Sequence, residues 1–125
     1  MIEEIIIKEK IKDIYSSSFS SDYSSKFFFK SILHHVISLE VYENNKIEGI
    51  SFETICLKVP KSIGSRSSIQ SILNDALLRN IFFKKQSMKD KRIKNYYLSP
   101  QYFDVINEWI KKEQYYFKKM NEQKN

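Results

Sequence analysis

The pattern of apolar and polar positions divides the chain into helices, a short strand and one hairpin. Over residues 2–15, Ile7, Ile11 and Ile14 fall at helical spacing, with Glu3, Glu4, Lys8 and Lys12 outside that stripe. The run Ile5-Ile6-Ile7 is β-branched and suits a strand as well as a helix. In residues 16–25, seven of ten positions are serine, which competes for backbone hydrogen bonds and predicts a linker ending in the cap of the next helix. From residue 26 to about 43, Phe29, Ile32, Leu33, Val36 and Ile37 mark one apolar helical face, and Asn44-Asn45 end it. Gly49-Ile50 can form a short strand leading into Ser51. Ser51 is placed to cap a short helix with the stripe Phe52, Ile55, Cys56 and Val59.

Pro60-Lys61-Ser62-Ile63-Gly64 breaks that helix, and Gly64 is expected to take a positive φ in a tight turn. Ser65 then caps a second helix running to about residue 79, with Ile69, Ile72, Leu73, Ala76 and Leu77 inward and Asn80 at its left-handed end. Residues 81–86 and 93–98 are β-prone, and Ser87-Met88-Lys89-Asp90-Lys91-Arg92 between them predicts a hairpin with a basic tip. Ser99-Pro100 has the form of a cap and first residue of a last helix. There Phe103, Ile110 and Phe117 repeat every seven residues, as do Tyr102, Trp109 and Tyr116, with Ile106 and Met120 filling the stripe. The expected fold class is mainly α with a small β-hairpin.

Composition narrows the classes. With 125 residues, 42% hydrophobic and 14% aromatic, the chain has material for one core and too much for a disordered tail. A mean hydropathy of -0.46 and the lack of any long apolar run argue against a membrane protein. The opening Met1-Ile2-Glu3-Glu4 lacks the basic flank of a secretory signal. The single cysteine, Cys56, excludes an internal disulfide framework and a cysteine zinc cage, and by pattern it faces the core. A reduced, cytoplasmic protein is expected. His34 and His35 are adjacent, so on a helix they diverge by about 100° and cannot grip one metal together. No metal and no cofactor is expected. Glu40 and Glu43 share a helix without a paired acid, a nucleophile–base set or a phosphate-binding glycine loop, so the chain does not read as an enzyme.

Charge changes the picture more. Residues 1–57 sum to −3, residues 58–99 to +8 and residues 100–125 to +1, making up the net +6. Such concentration points to a polyanion partner rather than to a solubilising charge scattered over the surface. The apolar stripe of the second helix leaves Arg66, Ser67, Gln70, Ser71 and Asn74 on its other side. Arginine can pair bidentately with guanine, glutamine and asparagine with adenine, and serine can serve a base edge or a phosphate. Ser65 and Ser68 belong to the first turn, whose unpaired N–H groups suit a phosphate. The hairpin tip offers Lys89, Lys91 and Arg92, with Asp90 placed to orient Arg92 or balance its charge. Lys58, Lys61, Lys84, Lys85 and Lys94 would add phosphate contacts that carry no sequence information. The expected partner is double-stranded DNA.

Helix, tight turn, helix and charged hairpin form the order of a winged helix-turn-helix, and here the sequence resembles the MarR family of bacterial transcriptional regulators. Ile63-Gly64-Ser65-Arg66-Ser67-Ser68-Ile69 is similar to the family's L-G-[LI]-S-R-S-T-V at the start of the recognition helix. Asp90-Lys91-Arg92-Ile93-Lys94-Asn95-Tyr96-Tyr97-Leu98-Ser99-Pro100 is similar to its wing and exit, D-x-R-x-K-x-x-x-L-T-x. The resemblance covers about residues 26–110. It departs at Asn80, where glycine is usual, and at Asp75, often basic in the family, which would put a negative charge on or near the binding face. The N-terminal helix is short, and a single C-terminal helix stands where two are common.

The resemblance implies a dimeric, sequence-specific regulator, a repressor that occupies an operator. In that organisation residues 1–25 form a helix and serine-rich linker, residues 26–99 the winged DNA-binding domain, and residues 100–125 a dimerisation helix. The expected subunit interface is Ile7, Ile11, Tyr102, Phe103, Ile106, Trp109, Ile110, Tyr116 and Phe117; the alternative is that the last helix packs on residues 26–43 within a monomer. A winged-helix protein-interaction module that reads no DNA is the alternative function. No residue identifies a small-molecule effector, and the aromatics at 27–29 and 96–97 read as core before pocket.

Overall fold

Short polar side chains set most helix starts. Asp22 accepts a hydrogen bond from the Ser24 N–H, Ser31 from His34, Ser51 from Thr54, Ser65 from Ser68 and Ser99 from Tyr102. The computed structural model describes the backbone of residues 1–19 and 22–123. Its order is α1 (Ile2–Phe19), α2 (Tyr23–Phe29), α3 (Ile32–Asn44), β1 (Ile50–Ser51), α4 (Phe52–Lys58), α5 (Arg66–Leu78), β2 (Phe82–Gln86), β3 (Lys94–Leu98) and α6 (Pro100–Gln123).

Two boundaries depart from the pattern. Residues 26–43 are not one helix, because Ser31 is extended (φ -158) and its hydroxyl takes the His34 N–H, starting α3 afresh. The predicted face is broken accordingly. Leu33 and Ile37 are buried, Ile32 is 71% exposed, and Phe27 and Phe28, outside that stripe, are fully buried. At the other end α1 runs on through residues 16–19, where a linker was expected, and α2 begins at Tyr23. A serine loses only about 0.5 kcal/mol against alanine in a helix, too little to stop one. Ser20 and Ser21 of the expected linker lie outside the described residues. The Ile5-Ile6-Ile7 run is helical: Ile6 is buried, while Ile7, Ile11 and Ile14 are exposed on the protomer.

The sheet is antiparallel in the order β1-β3-β2, with Ile50 opposite Tyr96 and Phe82 opposite Leu98. Its middle strand is pinned beyond the ladder. Asn95 and Tyr97 both donate to the Glu48 carbonyl at 2.7 Å, and Asn45 Oδ1 accepts from the Leu98 N–H at 2.7 Å. Where the sheet meets α2 and α6, Phe27, Phe82 and Tyr102 pack edge to face with centroids 5.7–5.9 Å apart. Ser38 donates to the His34 carbonyl, so the Tyr102 hydroxyl donates to Ser38 Oγ at 2.7 Å.

Tyr102 and Ile106 therefore do not belong to a subunit seam, as their heptad spacing had suggested. Both are fully buried within the protomer, because α6 lays that stripe on α2, α3 and the sheet. Phe103 stacks on Tyr42, and Trp109 meets Phe28 and His35 edge-on. Further along, Tyr116 is buried under α1 and donates to Asp13 at 2.6 Å, beside a Lys10–Glu113 ion pair at 2.8 Å. Phe117 stays exposed.

The positive φ expected at Gly64 is found at Gly49 instead (φ 72), where a Cβ would also stand 2.8 Å from the Tyr96 carbonyl oxygen. Gly64 is needed for proximity: a Cβ there would lie 2.5 and 2.6 Å from the two Leu33 methyls. Gly64→Ala should cost about 1–3 kcal/mol by overpacking, seen as a lower urea midpoint. An unchanged midpoint would mean that Leu33 moves aside freely.

Candidate nucleic-acid interface

The helix-turn-helix is α4, the turn at residues 59–65, and α5. On α5, Ile69, Ile72, Leu73 and Ala76 are buried, which leaves Ser67, Ser71 and Asn74 exposed on the opposite side. Ser65 Oγ lies 3.2 Å from the Ser67 hydroxyl and 3.0 Å from that of Ser68, so the first turn is bound together by serines. Gln70 donates to Asn74 Oδ1 at 3.0 Å, one turn along the same face. Lys61 is exposed in the turn before α5.

Arg66 is not a free probe. Its Nη1 and Nη2 donate to the two carboxylate oxygens of Glu53 on α4 at 2.9 and 2.6 Å, with the guanidinium over the Phe52 ring at 4.8 Å. These bonds hold the Glu53 carboxyl below its ordinary pKa and raise that of Arg66. Nearby Cys56 is half-buried against the core, and burial pushes its thiol up.

Asp75 does not confront the outer face as an unpaired charge. It is turned to α2, where it accepts from the Tyr23 hydroxyl at 2.9 Å and from Arg79 Nε at 3.0 Å. Desolvation alone would raise its carboxyl, but these hydrogen bonds outweigh it and hold the pKa below its ordinary value. Asn80 takes the left-handed conformation (φ 58) expected of it.

The hairpin joins β2 to β3 through an exposed tip. Asp90 accepts from the Arg92 backbone N–H and from its Nε and Nη2, all at 3.0–3.1 Å, so the acid does orient the arginine. Arg92 is nevertheless 89% exposed, and Lys89 reaches back to Glu48 at 3.3 Å. Lys91 is exposed. Of the expected phosphate contacts, Lys84, Lys85 and Lys94 are exposed, while Lys58 stands 3.9 Å from Glu40.

A groove of about 760 Å³ opens between α1, α2, α3 and α6. Phe28, Phe29, His35 and Trp109 give it an aromatic lining; Asp13, Asp104, Glu108 and Glu113 share its other walls with Lys10 and Lys112, which pair with Glu113 and Asp13. Phe28 and Phe29 are thus core and pocket together, while Phe27 is core alone. Tyr96 and Tyr97 take no part in it: Tyr96 is buried and Tyr97 stacks on Phe83. The histidines are engaged locally, His34 with Ser31 Oγ at 2.6 Å and His35 with the Phe28 carbonyl at 3.0 Å.

No protein-family model matches the sequence, and no curated protein is significantly similar to it. Solved structures do match. S. aureus MepR in a DNA complex superposes with a TM-score of 0.54 at 13% identity, over 99% of this chain and 91% of that one. S. aureus MepR bound to ethidium bromide gives a TM-score of 0.57 at 13% identity, over 96% of this chain and 75% of that one. The chain has the MarR-type winged-helix fold. In this fold α5 is the second helix of the helix-turn-helix and the β2–β3 hairpin is the wing.

Sequence reasoning missed Glu53, Glu48 and Tyr23 as partners of Arg66, Lys89 and Asp75. Each pair spans a turn or a tertiary contact, so no helical or strand period links its members. The only available signal for Glu53 was an acid on the outer side of the helix preceding a basic one.

Proposed function

We propose that the protein is a sequence-specific regulator that binds double-stranded DNA as a homodimer and acts as a repressor. The observation that carries this is the +8 segment. Its cations lie at the end of α4 (Lys58), in the turn (Lys61), at the two ends of α5 (Arg66, Arg79) and above all along the β2–β3 hairpin, with the apolar stripe of α5 inside and its polar side chains outside. The outer side of α5, from Ser65 to Asn74, would enter the major groove, and Arg92 and Lys91 would meet the minor groove or the backbone. MepR, with the same fold, is a DNA-bound relative in shape and supports the reading.

Dimerisation draws on the apolar side chains that the protomer leaves exposed at its helical ends, Ile7 and Ile11 on α1 and Phe117 on α6. Phe103, Trp109, Ile110 and Tyr116 serve mainly to seat α6. A two-fold reader would place two α5 helices about one duplex turn, 34–36 Å, apart. The groove's aromatic walls fit a planar aromatic effector; MepR bound to ethidium bromide is consistent with that shape.

Selection of bound fragments from random duplex DNA at two salt concentrations tests the proposal. Enrichment of an inverted repeat is expected, with affinity falling log-linearly in salt. Replacing Lys91 and Arg92 together by alanine should reduce the salt slope by about 1.8, from roughly 0.9 per phosphate. An unchanged slope would remove the wing from the interface. Failure to enrich any sequence, with tight binding to acidic proteins, would favour the interaction-module reading.

A further inference from the structure

All three arginines of the chain carry a carboxylate, but the three pairs do different things. Arg79–Asp75 is a tertiary clamp, completed by the Tyr23 hydroxyl and by the Tyr23 ring 3.8 Å from the guanidinium. Arg92–Asp90 is a local turn pair. Arg66–Glu53 joins the two helices of the reading head, and both side chains are well exposed, at 60% and 68%. A surface pair of this kind adds little to stability. Its effect falls on what Arg66 can bind.

Glu53 takes both terminal nitrogens of Arg66 in the parallel geometry a guanine edge would use, while Phe52 supports the guanidinium from its face. The carboxylate thus mimics the base. We infer that Glu53 is an internal competitor that occupies the Arg66 fork until a correctly placed guanine displaces it, and so limits how tightly the right sequence is held. This rests on the DNA-binding reading above and deepens it. On a duplex lacking guanine at that position, Arg66 stays with Glu53. The pair then contributes no net positive charge. On the right sequence the two acceptors of guanine, N7 and O6, replace the two carboxylate oxygens, and Glu53 turns to water. The cost of breaking the pair is therefore met only on the right sequence; elsewhere Glu53 costs no more than the phosphate contact that Arg66 forgoes.

Glu53→Gln tests this, because the amide keeps the shape while losing the charge and one acceptor. Binding to the selected operator and to a scrambled duplex is measured across salt for wild type, Glu53→Gln, Arg66→Ala and the double variant, with melting curves to show that each folds. Glu53→Gln should tighten operator binding on the order of fivefold, about the interaction of one charge pair at contact in water. Scrambled-duplex binding should tighten less, so the specificity ratio rises, and the salt slope on scrambled DNA should rise by about 0.9 as Arg66 becomes one more phosphate contact. In the Arg66→Ala background the same substitution should change binding less than twofold.

Weaker operator binding by Glu53→Gln would overturn the inference, since Glu53 would then be holding Arg66 in place for the base. An equal gain with and without Arg66 would also overturn it, reducing Glu53 to a bystander charge. Absence of duplex binding by the wild type would instead overturn the DNA-binding reading itself, and this inference with it.

Discussion

A Ser71→Glu variant is expected to fold at least as well as wild type and to bind DNA about 10²–10³-fold more weakly, from the several kcal/mol of a like-charge contact. Ser71 is exposed in the middle of the outer side of α5, flanked along the helix by Ser67 and Asn74. Glutamate is a better helix former than serine, and at an open position it displaces nothing. The new carboxylate would face phosphates and base edges that carry acceptors of the same sign. Ser71→Lys is the control of opposite charge, and should retain affinity while losing discrimination. Anisotropy titration on the selected duplex, alongside a thermal melt, separates folding from binding. Wild-type affinity in Ser71→Glu would place the outer side of α5 away from DNA.

Phe27→Ala should cost about 3–5 kcal/mol, the range for deleting a buried aromatic ring. That is between about a fifth and all of the roughly 5–15 kcal/mol by which a domain is stable. Phe27 is fully buried, and its ring meets His34, Phe82 and Tyr102 edge-on at 4.8, 5.7 and 5.8 Å. These neighbours belong to α3, β2 and α6, so the cavity would open where the wing's outer strand, the long terminal helix and the bundle join. None of them can close it alone without leaving the others. The urea midpoint should drop sharply at an unchanged slope. Phe27→Leu should recover much of the loss, and if Phe27→Ala cost less than about 1 kcal/mol, the aromatic junction would not be the centre of the core.

What the sequence disclosed was what local chemistry controls. Ser51, Ser65 and Ser99 announced their helices because a hydroxyl followed by an amphipathic run has one ready use. The hairpin and the left-handed Asn80 were legible for the same reason. Ser31 was not, since it sits inside an apolar period that continues across it, and only the hydroxyl's choice of the His34 N–H breaks the helix. The α6 stripe was legible as apolar and illegible as to partner. Heptad spacing serves a subunit seam and an internal core equally, and Tyr102 and Ile106 proved to be core. At the candidate site, the side chains on the outer face of α5 followed from its buried stripe, whereas the carboxylate on Arg66 depends on how two helices cross.

Among the described residues, the order β1-β3-β2 leaves one flank of β2 without a neighbouring strand, and from Phe83 to Gln86 its residues are exposed. Such a margin of unsatisfied amides is a template on which a second chain can dock and aggregate, and lysines along it are a common safeguard. Lys84 and Lys85 stand there, with the Lys85 ammonium 5.1 Å from the Tyr97 ring and 5.6 Å from that of Phe83. Two charges on this margin disfavour strand-to-strand pairing, a role separate from any contact with DNA. An alanine scan through them would lower soluble protein as well as remove cations, so Lys→Gln or Lys→Thr replacements, checked by light scattering, are the cleaner probes of this strand.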